Sequence, residues 1–489
     1  MTTRHRFPAF RVRLVQCVCS IPALALLLLL GTIAYHYLLS FWMNRTGAIL
    51  GAVTTAYLVP FYAAVDIHPT RWLVPALLVL ASFLLIFRRL LNQREPNPFV
   101  LLMTAFVLFH AIGLSVSMIG GFQDFKGNRI PSFEVPYSRF VLEYFGDVPK
   151  IDKMGVRHFL HDYASPAVYS KLSLHSKTHP PGGAVFMWAV SRVFGWSLLP
   201  ASLATVTFTS LILLPVWLTA KLLYGNRTAA FAVALFLVIP NFVMYTTTSM
   251  DGPFSVFPAF AVFFFLQAAK GDRPALFGAL AGLATAFSAF MTYSTIFLGL
   301  FFAVYGLLTL LSDRAQFQRT VVALLAAALC FELFYAALFA ATGFDILQAA
   351  TTSVIQAEHM VGSRHESIGR YVNFGLGNLA AFLIETGFVL TAAWLKFNFK
   401  AVREALRGTA TDHYSLAFLI SLILIAFSTL YSMETERIWL FMVPFVAIPA
   451  AKYVHDLCER ESNLEPFWWV AGLLCLQLVV SETMLNTFW

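Results

Sequence analysis

The chain has 489 residues, 59% of them hydrophobic and only 12% charged, against about 25% charged in a soluble globular domain; its mean hydropathy is +0.74. This excludes an ordinary water-soluble enzyme, because the apolar residues come in long runs separated by short charged punctuation, the pattern of a chain whose solvent is the bilayer. The net charge of +8 reads as Lys and Arg in short loops facing anionic lipid rather than as a nucleic-acid surface.

In chain order, a basic start from Arg4 to Arg13 leads into a Leu run near 23–30. No small-residue cleavage site stands out before His36, so an uncleaved first span is expected. Apolar segments long enough to cross about 30 Å of hydrocarbon occur at 21–42, 48–65, 72–87, 99–118, 200–221, 228–244, 253–269, 275–291, 293–311, 320–341, 371–395, 414–432, 437–453 and 467–487. Runs of this length without strand alternation satisfy their backbone as helices, so an all-α polytopic membrane protein of about thirteen or fourteen transmembrane helices is predicted. The expected organisation is N-terminal spans over 1–118, a folded outer segment over 119–199, core spans over 200–341, a basic outer loop over 342–370 and C-terminal spans over 371–489. The outer segment should contain short helices and, over 183–197, an interfacial juxtamembrane helix.

Arg88, Arg89 and Arg94, then Lys221 and Arg227, Lys270 and Arg273, Arg314 and Arg319, and Lys396 to Arg407 recur at every second loop, which places those loops in the cytoplasm. Counting back from 99–118 sets the basic N-terminus outside, against the same rule. Either 48–65 does not fully cross or the N-terminus breaks the rule. No internal repeat is visible, which weighs against an inverted-repeat transporter. The five cysteines lie in apolar runs or cytoplasmic flanks, so neither a disulfide framework nor a zinc site is expected.

The outer segments are where chemistry is expected. Acids at 119–199 include Asp124, Glu134, Glu143, Asp147, Asp152 and Asp162, most of them paired with nearby Lys or Arg or simply solvated. Asp251 differs, because it stands between two apolar runs in Ser249-Met250-Asp251-Gly252-Pro253. A carboxylate there costs several kcal/mol without a partner or a task. His158, His161, His175 and His179 with Lys171 and Lys177 give the outer segment a positive cast, suited to a lipid phosphate and equally to a solvated loop. His175 and His179 have the spacing of a zinc helix, but Pro180 and Pro181 oppose one. Further on, His359, Arg364, His365 and Arg370 read either as phosphate ligands or as an interfacial anchor. Glu434, Glu436 and Arg437 form a compact charged turn with an internal salt bridge. Carboxylates and cations meeting at an outer surface suit group transfer from a lipid phosphate, a carboxylate taking the acceptor proton while cations hold the departing phosphate.

Phe133-Glu134-Val135-Pro136-Tyr137, His179-Pro180-Pro181, Val193-Phe194-Gly195, Lys221 to Arg227 and Met250-Asp251 follow one another in an order that resembles the GT-C superfamily of membrane glycosyltransferases. The likeness is to bacterial relatives of the dolichyl-phosphate-mannose protein mannosyltransferases and of the aminoarabinose transferases, from about Glu134 to Leu311. The resemblance implies a GT-C-like helical bundle and an inverting transfer of a monosaccharide from a polyprenyl-phosphate donor to a lipid, glycan or protein acceptor at the periplasmic face of a bacterial inner membrane. It implies that Glu134 holds the place of the catalytic carboxylate and Asp251 that of the second-loop acid. The family's first acid is replaced by Phe133, so Asp124 or Asp147 also stand as candidate bases. The usual Thr-Lys-Tyr appears as Thr292-Tyr293-Ser294, so the donor phosphate falls to His179, Lys177, Arg364, His365 or Arg370. Glu434, Arg437 and Tyr293 are further polar residues of the outer face. Some relatives use a divalent cation and others do not, so metal use stays open. The competing readings are a transporter or flippase of lipid-linked sugars and a catalytically degenerate scaffold subunit of the cell envelope.

Overall fold

The computed structural model describes residues 20–47, 57–67, 69–93, 95–120, 122–123, 129–139, 141–361, 367–409, 411–428, 430–431 and 434–487. Asp124, Arg364 and His365 lie outside them. Helices dominate, with two short antiparallel pairs, Ala64–Val65 with Leu485–Asn486 and Phe122–Gln123 with Arg129–Ile130. The helix starts follow from the sequence. Ser20, Asn97, Asp313 and Asp412 accept backbone N–H bonds at the heads of Ile21–Thr46, Pro98–Ser117, Arg314–Thr342 and His413–Ala426, which satisfies donors that have no intrahelical partner.

Among the described residues, ten helices are long and apolar enough to cross a membrane, or eleven if the bent pair Ile368–Glu385 and Phe388–Leu406 is one span. Three expected spans differ in detail. Residues 57–65 are turns and a short strand, so 48–65 is not a helical crossing over its described part. The run 414–432 yields only the 14-residue helix His413–Ala426. The run 371–395 is broken by a 110° bend; Gly387 sits in the bend at φ +114°, where the Leu474 side chain fills the space of a Cβ. The 39-residue stretch Leu198–Phe236 is divided by Gly225 at φ +88°.

Contacts at the two ends show how the chain alternates. At a basic end, Tyr224 donates to Asp412 (2.7 Å), Arg227 to the Gln93 carbonyl, Thr228 bonds His455 (2.9 Å) and Ser312 bonds His413 (2.6 Å). At the opposite end, here the loop end, Asp251 meets Arg437 and the Tyr62 N–H meets Glu436. The halves of Leu198–Thr248 therefore run from the loop end to Gly225 and back. The N-terminal conflict resolves in the same way. His36 bonds the Val59 carbonyl, and the strand at Ala64–Val65 pairs beyond the C-terminal end of Glu465–Met484. The helix Ile21–Thr46 thus reaches the loop end with its C-terminal half, its start lies at the basic end, and residues 57–66 stay at the loop end.

Close helix packing relies on small residues, as in bilayers generally. Gly278 and Gly282 of Pro274–Met291 face Ala323 and Ala327 of Arg314–Thr342 so closely that a Cβ at Gly278 would lie 2.6 Å from the Ala323 carbonyl oxygen. Residues 132–139 and 141–194 fold as a series of short helices ending in Gly182–Phe194, close to the expected juxtamembrane element. Gly182 lies directly against the Phe290 carbonyl and Gly183 against the Tyr144 ring. The Pro-Pro-Gly-Gly turn thereby docks this helix on the end of Pro274–Met291.

Candidate active site

Asp251 opens the short helix Asp251–Phe254 just after Pro240–Thr248 ends. Ser249 fixes the turn: its hydroxyl donates to Asp251 Oδ2 (2.9 Å) and accepts the Asp251 N–H (3.2 Å), and Ser255 donates to the Asp251 carbonyl (2.7 Å). Gly252 is pressed against Thr209 and the Thr246 backbone, so the acid is carried on a rigid turn.

The opposing cation comes from far along the chain. Arg437, on the helix Thr435–Ile438, donates through Nη1 to Asp251 Oδ2 (2.7 Å) and through Nη2 to Glu434 Oε2 (2.9 Å). The Arg437 and Asp251 side chains are only 11% and 10% exposed. Burial opposes the guanidinium charge, but Asp251 and Glu434 outweigh it and hold Arg437 protonated above its ordinary value. No described residue donates to Asp251 Oδ1, so one carboxylate oxygen stays open while the other is clamped. Glu434 itself adopts the left-handed conformation at φ 59°, a strained state that persists only where surrounding structure enforces it.

The outer segment supplies the facing wall. Backbone bonds from Leu174 and His175 to Val141 and Leu142 bring two short stretches together. There His175 Nδ1 meets Glu143 Oε2 at 3.1 Å. Glu143 is 2% exposed and its Oε1 has no hydrogen-bond partner. Tyr144 is buried between these groups. Burial first, and then the charges of Asp251 and Glu143, raise its phenol well above the ordinary value, while Arg437 acts in the opposite sense. His179 lies at 5.9 Å from the Tyr144 ring and 6.0 Å from Phe254. Burial, reinforced by His175, lowers its imidazole to about 4, so it is neutral at pH 7.

The other sequence candidates have separate places. Asp147 is fully buried and saturated, accepting from the Ser173 N–H (3.0 Å), the Ser173 hydroxyl (2.7 Å) and Lys150 (2.6 Å); it staples the outer segment. Glu134 lies half-buried on the turn Ser132–Glu134 against Pro240–Thr248 and Leu198–Ser210, its N–H bonded to the Pro131 carbonyl (2.9 Å), and its side chain forms no hydrogen bond or ion pair with another described residue. Burial raises its carboxyl. Lys177 is on Leu174–Thr178, where its carbonyl accepts from Tyr169 (2.5 Å). Arg370 opens Ile368–Glu385 with its guanidinium 5.4 Å over Phe374, and the buried hydroxyl of Tyr293 lies beside Ser353. Sequence reasoning left Tyr144 and Tyr62 unmarked and did not single out Glu143. The signal available was an acid and a tyrosine in tandem four residues after Arg139.

Glu436, next to Arg437, is 1% exposed; its Oε1 accepts the Tyr62 N–H (2.9 Å) and its Oε2 has no partner. Burial pushes its carboxyl up to about 8. The folded state thus holds a proton that the unfolded chain, with a carboxyl near about 4.3, releases. This stabilisation is complete below about pH 4 and is lost as pH rises through about 8. Glu436→Gln keeps an acceptor for Tyr62 and does not titrate. Its melting temperature should fall less than that of the wild type between about pH 6 and about pH 9; equal slopes in thermal melts would refute this.

Among the described residues, no group of three or more His, Cys, Asp or Glu side chains is arranged to hold a metal ion. What the cluster offers is an open carboxylate oxygen on a rigid turn, a protonated guanidinium and a second buried acid, all at one end of an apolar bundle.

Residues 178–339 match the dolichyl-phosphate-mannose-protein mannosyltransferase family, a stretch that contains His179, Asp251 and the turn between them. Over this stretch the chain is similar to that family. No curated protein matches the chain. Solved structures similar to it include ArnT from Cupriavidus metallidurans in the apo state, with 15% identity over 74% of this chain and 61% of that one and a TM-score of 0.45. The same enzyme bound to undecaprenyl phosphate gives 14% identity, 77% and 70% coverage and a TM-score of 0.45. The oligosaccharyltransferase AglB from Archaeoglobus fulgidus, in complex with an inhibitory peptide and a dolichol-phosphate, gives 12% identity, 78% and 55% coverage and a TM-score of 0.46. The chain spans about three fifths of the length of the apo ArnT chain. Glu143, Tyr144, Glu434 and Arg437 lie outside the matched stretch, so of these residues and Asp251 only Asp251 falls within it.

Proposed function

We propose that this protein transfers a monosaccharide from a polyprenyl-phosphate donor to an acceptor hydroxyl or amide, with inversion, at the exterior face of a bacterial inner membrane. The observation that carries the reading is the Asp251–Arg437–Glu434 cluster beside Glu143 and Tyr144. A buried charged cluster of this kind costs too much in an apolar bundle to be ornamental. The family description over 178–339 names a dolichyl-phosphate-linked sugar, which supports a lipid-linked donor. The Lys and Arg loops at the other end support an exterior orientation of the loop end.

In this mechanism the open Oδ1 of Asp251 takes the acceptor proton while the acceptor attacks the anomeric carbon and the bond to the donor phosphate breaks. Arg437 orients Asp251 through their 2.7 Å ion pair. Ser249 holds the same oxygen as Arg437, which leaves Oδ1 without a donor among the described residues. Glu143 and Glu134 are further acids of this end, Lys177 and Arg370 are candidate cations for the phosphate, and Arg364 and His365 stand close before Arg370 in sequence. His179, neutral at pH 7, adds a hydrogen bond rather than a charge.

The test is chemical. The purified protein in lipid nanodiscs, given dolichyl-phosphate mannose and further polyprenyl-phosphate sugars with membrane extracts as acceptor, should release polyprenyl phosphate at a rate proportional to enzyme. Movement of intact lipid-linked sugar across a vesicle without phosphate-lipid release would instead establish a transporter.

A further inference from the structure

The helix Arg314–Thr342 lies at the rim of the bundle, with little of its length buried. One side is committed to the fold: Ala323 and Ala327 pack on Gly278 and Gly282, and Tyr335 donates to the Ala286 carbonyl (3.0 Å). The opposite side carries exposed Leu325, Leu329 and Leu333, a face suited to lipid. Glu332 is exposed on that same side and forms no hydrogen bond or ion pair with another described residue.

Its depth makes this costly. Glu332 stands thirteen residues after Arg319 and thirteen before Asp345, with no other charged residue between them. At about 1.5 Å per residue it is about 15 Å below the helix end at Thr342, near the middle of a hydrocarbon layer of about 30 Å. A glutamate side chain is too short to reach the headgroups from there, and lipid tails offer it neither a hydrogen bond nor a counter-charge. Glu385, by contrast, is 5% exposed and enclosed by the bundle. The partner of Glu332 therefore comes from outside a single copy of the chain.

The neighbours of Glu332 indicate which partner fits. Ala328, Ala336 and Ala340 share its row at intervals of four residues, and all three are exposed. Residues four apart form a ridge along a helix, and small residues on such a ridge let a second helix approach closely in lipid. This ridge is its own complement. Two copies in the same orientation hold Glu332 at the same depth, and a two-fold axis along the membrane normal sets one carboxyl against the other, with Ala328 and Ala336 giving room on either side. Two carboxyls meeting in hydrocarbon satisfy each other as acids, each donating its O–H to an oxygen of the other. Closed two-fold dimers are also the commonest oligomers.

We propose that this face of Arg314–Thr342 is a dimerisation surface within the membrane, on which Glu332 of one copy hydrogen-bonds Glu332 of a second. The proposal is independent of the glycosyl-transfer reading. Association is measured by energy transfer between two differently labelled preparations of the full chain in lipid vesicles, as the protein-to-lipid ratio is lowered. The wild type should give a saturable signal that falls on dilution with lipid. Glu332→Leu should move the midpoint to a protein-to-lipid ratio about threefold to thirtyfold higher, the worth of an interhelical polar contact in lipid. Glu332→Gln, whose amide both donates and accepts, should move it less than about twofold. Ala336→Phe keeps the carboxyl but fills the ridge, and should weaken association at least as much as Glu332→Leu. These side chains face away from the fold of a single copy, so thermal melts at high dilution should match the wild type.

A wild type that stays monomeric at every ratio overturns the proposal; binding of a synthetic Leu–Ala helix with one central Lys to that monomer, lost in Glu332→Leu, would give the face to a basic partner instead. A dimer with the same midpoint in Glu332→Leu or in Ala336→Phe overturns this surface. A Gln variant as weak as the Leu variant overturns the pairing of the two side chains.

Discussion

Asp251→Asn is expected to lower the release of polyprenyl phosphate by about 10²-fold to 10⁴-fold, the range set by loss of a general base, with donor KM little changed. The amide fills the same volume and still accepts from Ser249, whose hydroxyl now lies 2.9 Å from Oδ2, so the turn around Gly252 should persist and the melting temperature should change modestly. The defect is then one of proton transfer and not of folding. Kinetics on protein matched for thermal stability checks this. Full turnover in Asp251→Asn combined with its loss in Glu134→Gln would move the role of base to Glu134 and overturn the assignment made here.

Arg437→Met is expected to damage the fold as well as the reaction. The side chain lies 11% exposed between two carboxylates, and removing one partner of a buried pair leaves charge without compensation at a cost of about 3–5 kcal/mol. Asp251, 10% exposed, bears more of this cost than Glu434 at 21%. The double variant Arg437→Met with Asp251→Asn should therefore recover a large part of the lost thermal stability while staying inactive. Thermal melts of the two single variants and the double variant form the cycle that measures it. A double variant as unstable as the sum of the singles would show that Arg437 does not stabilise the protein through Asp251.

These outcomes bear on how much was legible beforehand. Asp251 stands out in the sequence because a lone acid between apolar runs must have a reason to be there, and the turn at 434–437 stands out because its charges have almost no loop to spread over. That the two pair with each other was not legible: 186 residues separate them, and nothing in either stretch names its partner. Asp147 shows the converse. In the sequence it is one acid among six in a polar segment, equivalent to its neighbours, whereas in the fold all its bonding capacity is taken by Ser173 and Lys150. Glu143 differs from Asp147 only through its surroundings, since His175 satisfies one of its oxygens and burial leaves the other bare.

His179 illustrates a role that burial alters. As a residue type it offers a cation to a phosphate, but between Tyr144 and Phe254 its imidazole is driven to about 4 and carries no charge at pH 7. The stretch 48–65 illustrates the limit of hydropathy. It is apolar enough to be read as a span, yet its described part turns at the loop end, because Glu436 and the strand at Leu485–Asn486 satisfy its backbone there.

The sequence by itself determined the solvent, the helical class and the two ends of the bundle, because long apolar runs and alternating basic loops are local properties that lipid and membrane charge read directly. It also marked Asp251, through the cost of an isolated carboxylate. Only the tertiary structure decided which acid faces which cation, which acids are already spent on holding the fold, and that an N-terminal turn reaches the site, since pairing across hundreds of residues depends on which helix ends meet and is written in no single segment.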